Sequence, residues 1–89
     1  MCPNATFRTD LILYLNQNAL TYLPSALFSL TNVTVLILSN NHLKVIPPAI
    51  GRLVNLKELS LGKNELQFLP SEVLALPQLN ILNIHPNPL

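Results

Sequence analysis

The chain has 89 residues, of which 49% are hydrophobic and only 10% charged, so its composition excludes a disordered segment. The net charge of +1 comes from scattered residues, which gives no basic surface for nucleic acid or an anionic membrane. Cys2 is the only cysteine, which excludes an internal disulfide and a cysteine-based zinc site. This scarcity of cysteine favours an intracellular compartment, cytoplasmic or nuclear.

Neither a leader nor a membrane segment is predicted. Residues 1–10 have no continuous apolar stretch and no basic start, which a signal peptide requires. No apolar run approaches the roughly 18 residues of a membrane-spanning helix.

An internal repeat organises the whole chain. Asparagine recurs at positions 18, 41, 64 and 87, so each step is 23 residues, and proline follows the same step at 24, 47 and 70. Residues 1–9 supply only the tail of a repeat, with Phe7 in its last aliphatic position. Full copies follow over 10–32, 33–55 and 56–78, and a partial copy covers 79–89.

Each copy is predicted to begin with a short strand. Its L-x-L sequence places two leucines on one side of the strand and their neighbours on the other. Because crossovers of equal length join the strands, they should stack as a parallel sheet. The predicted strands are Ile12–Leu15, Val35–Leu38, Glu58–Leu61 and Ile81–Ile84.

The repeated asparagines stand where the chain leaves each strand. An asparagine amide has two donor hydrogens and an acceptor oxygen, so it can bond backbone groups that the turn would otherwise bury unpaired. Aspartate lacks those donors. We therefore predict a structural ladder of asparagines at Asn18, Asn41, Asn64 and Asn87.

The repeated prolines begin the return segments. Proline fixes φ and is tolerated at the first position of a helix, where its missing N–H is not needed. Residues 70–76 therefore predict a helix of one or two turns, with Val73 and Leu76 facing inward. Residues 47–53 predict a 3-10 turn, because Gly51 weakens the helix.

The pattern L-x-x-L-x-L-x-x-N-x-L-x-x-L-P-x-x-L-x-x-L is the leucine-rich repeat signature. It predicts an α/β repeat fold, a solenoid with a parallel sheet on its concave face and short helical turns on its convex side. Residues 46–56 and 69–73 resemble intracellular leucine-rich repeats of the 23-residue type, including those of Ras-associated scaffolds and fungal adenylyl cyclases. The resemblance implies a scaffold that binds a protein on the concave face, with a small GTPase-like or other signalling protein as partner. Residues 27–30 resemble secreted repeats instead, which keeps an extracellular alternative open.

A candidate binding surface lies on the outward positions of the first two strands. Its apolar members would form one patch at the N-terminal end of the concave face, and exposed patches of this kind often mark protein contacts. The alternatives are that strand propensity alone selects these residues, or that preceding repeats cover them. The predicted partner-binding residues are Ile12, Tyr14, Asn16, Val35, Ile37, Ser39 and Asn40.

Catalytic chemistry is not predicted, and no cofactor or metal is expected. His42 and His85 lie in different columns of the repeat and read as solvated surface histidines without a carboxylate constellation. The apolar columns Tyr22, Val45 and Phe68, and Phe28 and Leu74, are expected to pack between neighbouring turns.

Three functions remain open at this level. The first is a non-enzymatic intracellular interaction module, and the second is the recognition segment of a larger signalling enzyme such as a cyclase, phosphatase or ubiquitin ligase. The third is a secreted or receptor repeat fragment. Neither end of the chain resembles a finished cap, so we expect a segment of a longer protein or association of the repeats end to end.

Overall fold

The computed structural model describes residues 10–89, and the partial repeat predicted over residues 1–9, with Cys2 and Phe7, lies outside them. Four strands form one parallel sheet in chain order. They are β1 (Leu11–Tyr14), β2 (Val33–Ile37), β3 (Glu58–Ser60) and β4 (Ile81–Asn83).

All four predicted strands are confirmed, although each ends one residue earlier than predicted. The residue after each of the first three strands still extends the sheet hydrogen bonding. The Leu15 N–H donates to the Ile37 carbonyl at 2.9 Å, and the Leu38 N–H donates to the Ser60 carbonyl at 2.8 Å. The leucines that close each L-x-L sequence are therefore held in place by their backbones.

Equivalent positions of successive copies lie side by side. Ile12 pairs with Val35 and Leu13 pairs with Leu36, and the same register continues from β2 to β3 and from β3 to β4. An irregularity between Leu11 and Ile12 interrupts the register only at the start of β1. A residue type that recurs every 23 positions therefore forms a continuous row across the sheet.

The hydrophobic core is most complete in the two middle copies. The inward leucines of β2 and β3 and of the residues just after them have no exposed surface, whereas Leu13 in β1 and Leu82 in β4 are half-buried. Each copy therefore completes its core against its neighbours, as expected of stacked repeats. The fully buried inward leucines are Leu36, Leu38, Leu59 and Leu61.

Short helical turns return the chain along the opposite side. The first two are 3-10 turns, Ser25–Ser29 and Pro48–Arg52, and the third is a single α-helical turn, α1 (Ser71–Leu74). Val73 is completely buried and Leu76 nearly so, which confirms the predicted inward pair. These segments complete the predicted α/β repeat fold.

The repeated prolines lie one position earlier than predicted. Pro24, Pro47 and Pro70 have extended backbones with ψ between 148° and 153°, and each is the N-cap residue that precedes its turn. Only Pro48 occupies the first turn of a helix itself. The repeated proline therefore sets the entry angle into the turn, where its fixed φ suits the extended backbone.

The expectation for the outer apolar columns is wrong for most members. Tyr22, Val45 and Phe68 are 70%, 50% and 58% exposed, because the inward positions on either side of them belong to other aliphatic residues. Phe28 is buried as expected, but Leu74 is 80% exposed. Leu74 lies one residue beyond the inward residue of α1, about 100° further around the helix, which directs it to solvent.

Candidate functional site

An apolar patch occupies the sheet face opposite the core, at its N-terminal end. Strand register places Ile12 beside Val35 and Tyr14 beside Ile37, so two neighbouring strands bring the four side chains together. Ile12 is 50% exposed and Tyr14 is 71% exposed, while Val35 and Ile37 beside them are half-buried. These four residues, named the apolar patch from here on, are the members of the predicted surface that alternate with the buried leucines.

The same face is polar at β3, and exposed Ile81 of β4 then follows Glu58 in its row. Glu58 continues the row of Ile12 and Val35, and Ser60 continues the row of Tyr14 and Ile37. The Asn83 side chain of β4 donates a hydrogen bond to the Ser60 hydroxyl at 3.2 Å. The apolar patch therefore borders a carboxylate and two hydrogen-bonding side chains.

Polar residues of the turns border the patch at the carboxyl ends of the strands. Asn16 and Ser39 are half-buried in equivalent positions, and the next residue, Asn40, is exposed. The Gln17 N–H donates to the Ser39 carbonyl at 3.2 Å, and the Asn40 N–H donates to the Gly62 carbonyl at 3.0 Å. These bonds fix the turns, so the polar edge is held by its backbone beside the apolar patch.

An equivalent position in each of the first three turns has a left-handed backbone that was not predicted from the sequence, and Ala19 in the first turn has a φ of 55° as well. Gln17, Asn40 and Lys63 all have a φ of 59°. Their side chains are exposed at the edge of the sheet face. Asn40 is the only one of the three whose residue type favours this conformation, so the sequence offered little signal for it.

Asn41 shows how an asparagine joins two copies. Its side-chain oxygen accepts the N–H groups of Asn18 and Leu20 in the preceding copy, both at 3.0 Å. Its amide nitrogen donates to the Leu15 carbonyl of the preceding copy at 3.0 Å and to the Leu38 carbonyl of its own copy at 2.9 Å. A single side chain therefore bonds the turn and the strand end of one copy to those of the next.

The later asparagines repeat this arrangement. Asn64 accepts the Leu43 N–H at 3.1 Å and donates to the Leu38 and Leu61 carbonyls at 3.0 and 2.8 Å. Asn87 accepts the N–H groups of Asn64 and Leu66 at 3.2 and 3.1 Å. Every one of these side chains reaches backward to the copy that precedes it.

Asn18 has a different environment from the other three. Its side chain is exposed and its amide donates to the Asn16 carbonyl of its own turn at 3.1 Å. The copy before it falls in residues 1–9, outside the part of the chain that the structure describes. Within residues 10–89, the bridging bonds of the asparagine ladder are therefore made by Asn41, Asn64 and Asn87.

Among residues 10–89, one pair of titratable side chains is in contact, and both side chains are exposed. His42 Nδ1 lies 3.1 Å from Glu65 Oε2, and the two side chains are 60% and 48% exposed. His42 is an exposed surface histidine, as expected, and the single carboxylate beside it belongs to Glu65, its equivalent in the next copy. His85 is exposed. Among residues 10–89, no group of three His, Cys, Asp or Glu side chains could hold a metal ion.

Comparison with known proteins gives one family match. A family model described as "Leucine rich repeat" matches residues 31–89, which is two-thirds of the chain and includes β2, β3 and β4. No curated protein matches the chain. Within residues 10–89, no helix is long and apolar enough to cross a membrane.

Proposed function

Because the chain belongs to the leucine-rich repeat family, we propose that it binds a protein partner on the concave face of its sheet, through the apolar patch. Domains of this family are in general protein–protein interaction modules. The observation that carries the proposal is the exposure of Ile12 and Tyr14 beside half-buried Val35 and Ile37. Large apolar side chains that remain exposed together are typical of protein contact sites.

The apolar patch has enough exposed surface to act as the centre of an interface. A tyrosine buries on the order of 150–250 Å² in a contact, so covering Tyr14 alone contributes roughly 3 kcal/mol at about 25 cal/mol per Å². Tyrosine also loses little conformational freedom when it is fixed, which makes it a common anchor of binding surfaces. Tyr14 is the residue on which we expect affinity to depend most.

The polar groups around the patch define the orientation of the partner. Asn16, Ser39 and Asn40 lie along one edge, and Glu58 and Ser60 follow on the next strand. Protein interfaces combine an apolar centre with a polar rim in this way. We therefore propose a partner surface with an apolar centre over β1 and β2, and a hydrogen-bond donor or cation facing Glu58.

The experiment compares the proteins that the native chain retains from cell extract with those retained by a Tyr14→Ser/Ile12→Ser double variant. Both side chains are exposed, so the variant should remain folded, and circular dichroism verifies this. Leu74→Ser is the matched control. Leu74 is 80% exposed, and it lies on the helical side of the repeats, away from the apolar patch. We expect a protein that binds the native chain and the control to be lost with the double variant. Retention of the same proteins by all three chains would refute a role for the patch.

We further propose that the chain is a non-catalytic intracellular scaffold in signalling, with a small GTPase-like or other signalling protein as its partner. The support is the resemblance of residues 46–56 and 69–73 to intracellular repeats. In the alternative, these repeats recognise a target for a larger signalling enzyme. The size of the endogenous protein distinguishes this alternative from the scaffold. An antibody to these repeats should detect a band near 10 kDa if the 9.9 kDa chain acts alone, and a much larger band if it is part of such an enzyme.

We also propose that another copy of this chain can act as a partner, by end-to-end association of the repeats. Among the described strands, β4 pairs only with β3 and so leaves one edge available. Exposed strand edges can pair with another chain. Sedimentation at increasing concentration should then show dimers, and a monomer throughout would exclude this association.

A further inference from the structure

A second apolar surface lies on the flank of the solenoid, away from the apolar patch. It consists of Tyr22, Val45 and Phe68, which are equivalent residues of three consecutive copies. Their exposed fractions are 70%, 50% and 58%. They are named the flank ladder from here on. The ladder follows the asparagine turns and precedes the helical return segments, so it faces neither the concave side nor the core.

The ladder borders a surface depression. Val45, Phe68 and Pro88 give this depression its apolar walls, and Lys44, Glu65 and Gln67 add polar groups at its margin. An apolar side chain from another protein could therefore enter between two successive members of the ladder. The depression differs in this respect from the apolar patch, which is formed by side chains of two paired strands.

The two charged groups at the depression are not equivalent. Glu65 is already paired with His42 of the preceding copy, at 3.1 Å. The Lys44 ammonium forms no hydrogen bond or ion pair with any residue of the described chain. The depression therefore offers apolar walls together with one unpaired cation.

We propose that the flank ladder is a second docking surface, which receives a partner-protein segment carrying an apolar side chain beside a carboxylate. The apolar side chain occupies the depression between Val45 and Phe68, and the carboxylate pairs with Lys44. A charge-assisted bond of this kind supplies direction, while the apolar contact supplies most of the affinity.

The size of the ladder favours a segment over a second copy of the chain. Three partly exposed side chains of this kind offer on the order of 300–400 Å². A stable interface between folded proteins buries roughly 800 Å² on each partner. A short acidic and apolar segment needs no more surface than the ladder and its depression provide.

The probe for this surface is a library of short random peptides, selected on the full chain and then tested as synthetic peptides by fluorescence anisotropy. We expect the selected peptides to share an apolar residue close to Asp or Glu. Phe68→Ser and Lys44→Glu should each weaken their binding by about 10-fold or more, and the Lys44→Glu effect should shrink at high salt because it is electrostatic. Leu74→Ser and Lys57→Glu are the matched controls, since each removes an exposed apolar residue or cation elsewhere and should leave binding unchanged.

Several results would overturn the proposal. The first is that no peptide is enriched, or that the enriched peptides lack acidic residues. The second is that binding is insensitive to Phe68→Ser and Lys44→Glu but is lost with Tyr14→Ser, which would place the peptides on the apolar patch. The third is a dimer in sedimentation that Phe68→Ser dissociates, because the occupant would then be a second copy. Since the flank ladder and the apolar patch share no residue, either surface can fail while the other stands.

Discussion

Replacement of Asn64 by alanine tests the bridging role of the asparagines. The Asn64 side chain is only 8% exposed, and its amide nitrogen donates to the carbonyls of Leu38 and Leu61 in neighbouring copies. Its oxygen accepts the N–H of Leu43. Alanine removes all of these bonds and leaves the buried Leu43 N–H without this acceptor.

The expected loss is large for a single polar side chain. Each hydrogen bond contributes about 1 kcal/mol net, and a buried group left unpaired costs a further 1–3 kcal/mol or so. We therefore expect Asn64→Ala to lower the free energy of unfolding by about 4–6 kcal/mol. The total for a chain of this length is roughly 4–13 kcal/mol at about 0.05–0.15 kcal/mol per residue. Asn64→Asp should cost at least as much at neutral pH, because a carboxylate lacks the donors and faces carbonyl oxygens.

Urea unfolding followed by circular dichroism measures these differences. Asn18→Ala is the matched control, because Asn18 is the equivalent residue, its side chain is exposed, and within residues 10–89 that side chain bonds only the Asn16 carbonyl. Its replacement should cost no more than about 1 kcal/mol. If Asn64→Ala and Asn18→Ala destabilise the chain equally, or if both fall within about 1 kcal/mol of the native protein, the bridging argument is refuted.

Three further predictions concern the turns and the core. Lys63 has a φ of 59°, so Lys63→Val should lower the free energy of unfolding by about 1–2 kcal/mol while Lys63→Gly does not; equal losses would contradict this. A Cβ on Gly62 would lie 2.5 Å from the His85 carbonyl oxygen. Gly62→Ala should therefore lower the free energy of unfolding by about 1–3 kcal/mol and lower the melting temperature. An unchanged melting temperature would refute the close approach. Leu59→Ala should cost about 2–5 kcal/mol in urea unfolding because Leu59 is fully buried, and half-buried Leu82→Ala should cost less; the reverse order would contradict the placement of the core.

The sequence predicted the fold well because the repeat multiplies each local signal. A single L-x-L sequence is weak evidence for a strand, but the same pattern recurs every 23 residues with asparagine and proline in phase. The strand positions, the parallel order and the inward Val73 and Leu76 followed from this period. The backbone at Lys63 did not, because lysine shows no preference for a left-handed conformation.

The surface was harder to predict than the core. Register alone placed Ile12 beside Val35 and Tyr14 beside Ile37, so the composition of the apolar patch could be derived from the period. Exposure could not be derived in the same way. Phe68 belongs to a regular apolar column, and yet it is 58% exposed, because a period shows which residues are equivalent but not which direction their side chains take. The contact between His42 and Glu65 was not predicted, although Glu65 occupies the equivalent position 23 residues later.

The asparagine bonds also bear on how such a chain lengthens during evolution. Asn41 and Asn64 make the same contacts one period apart, from the strand end of their own copy to that of the copy before. The amide donor bonds of one junction are therefore equivalent to those of the next. Duplication of any 23-residue block would create a new junction that already contains its own bridging amide. Gain or loss of a whole copy would thus preserve the asparagine bonds at the seam.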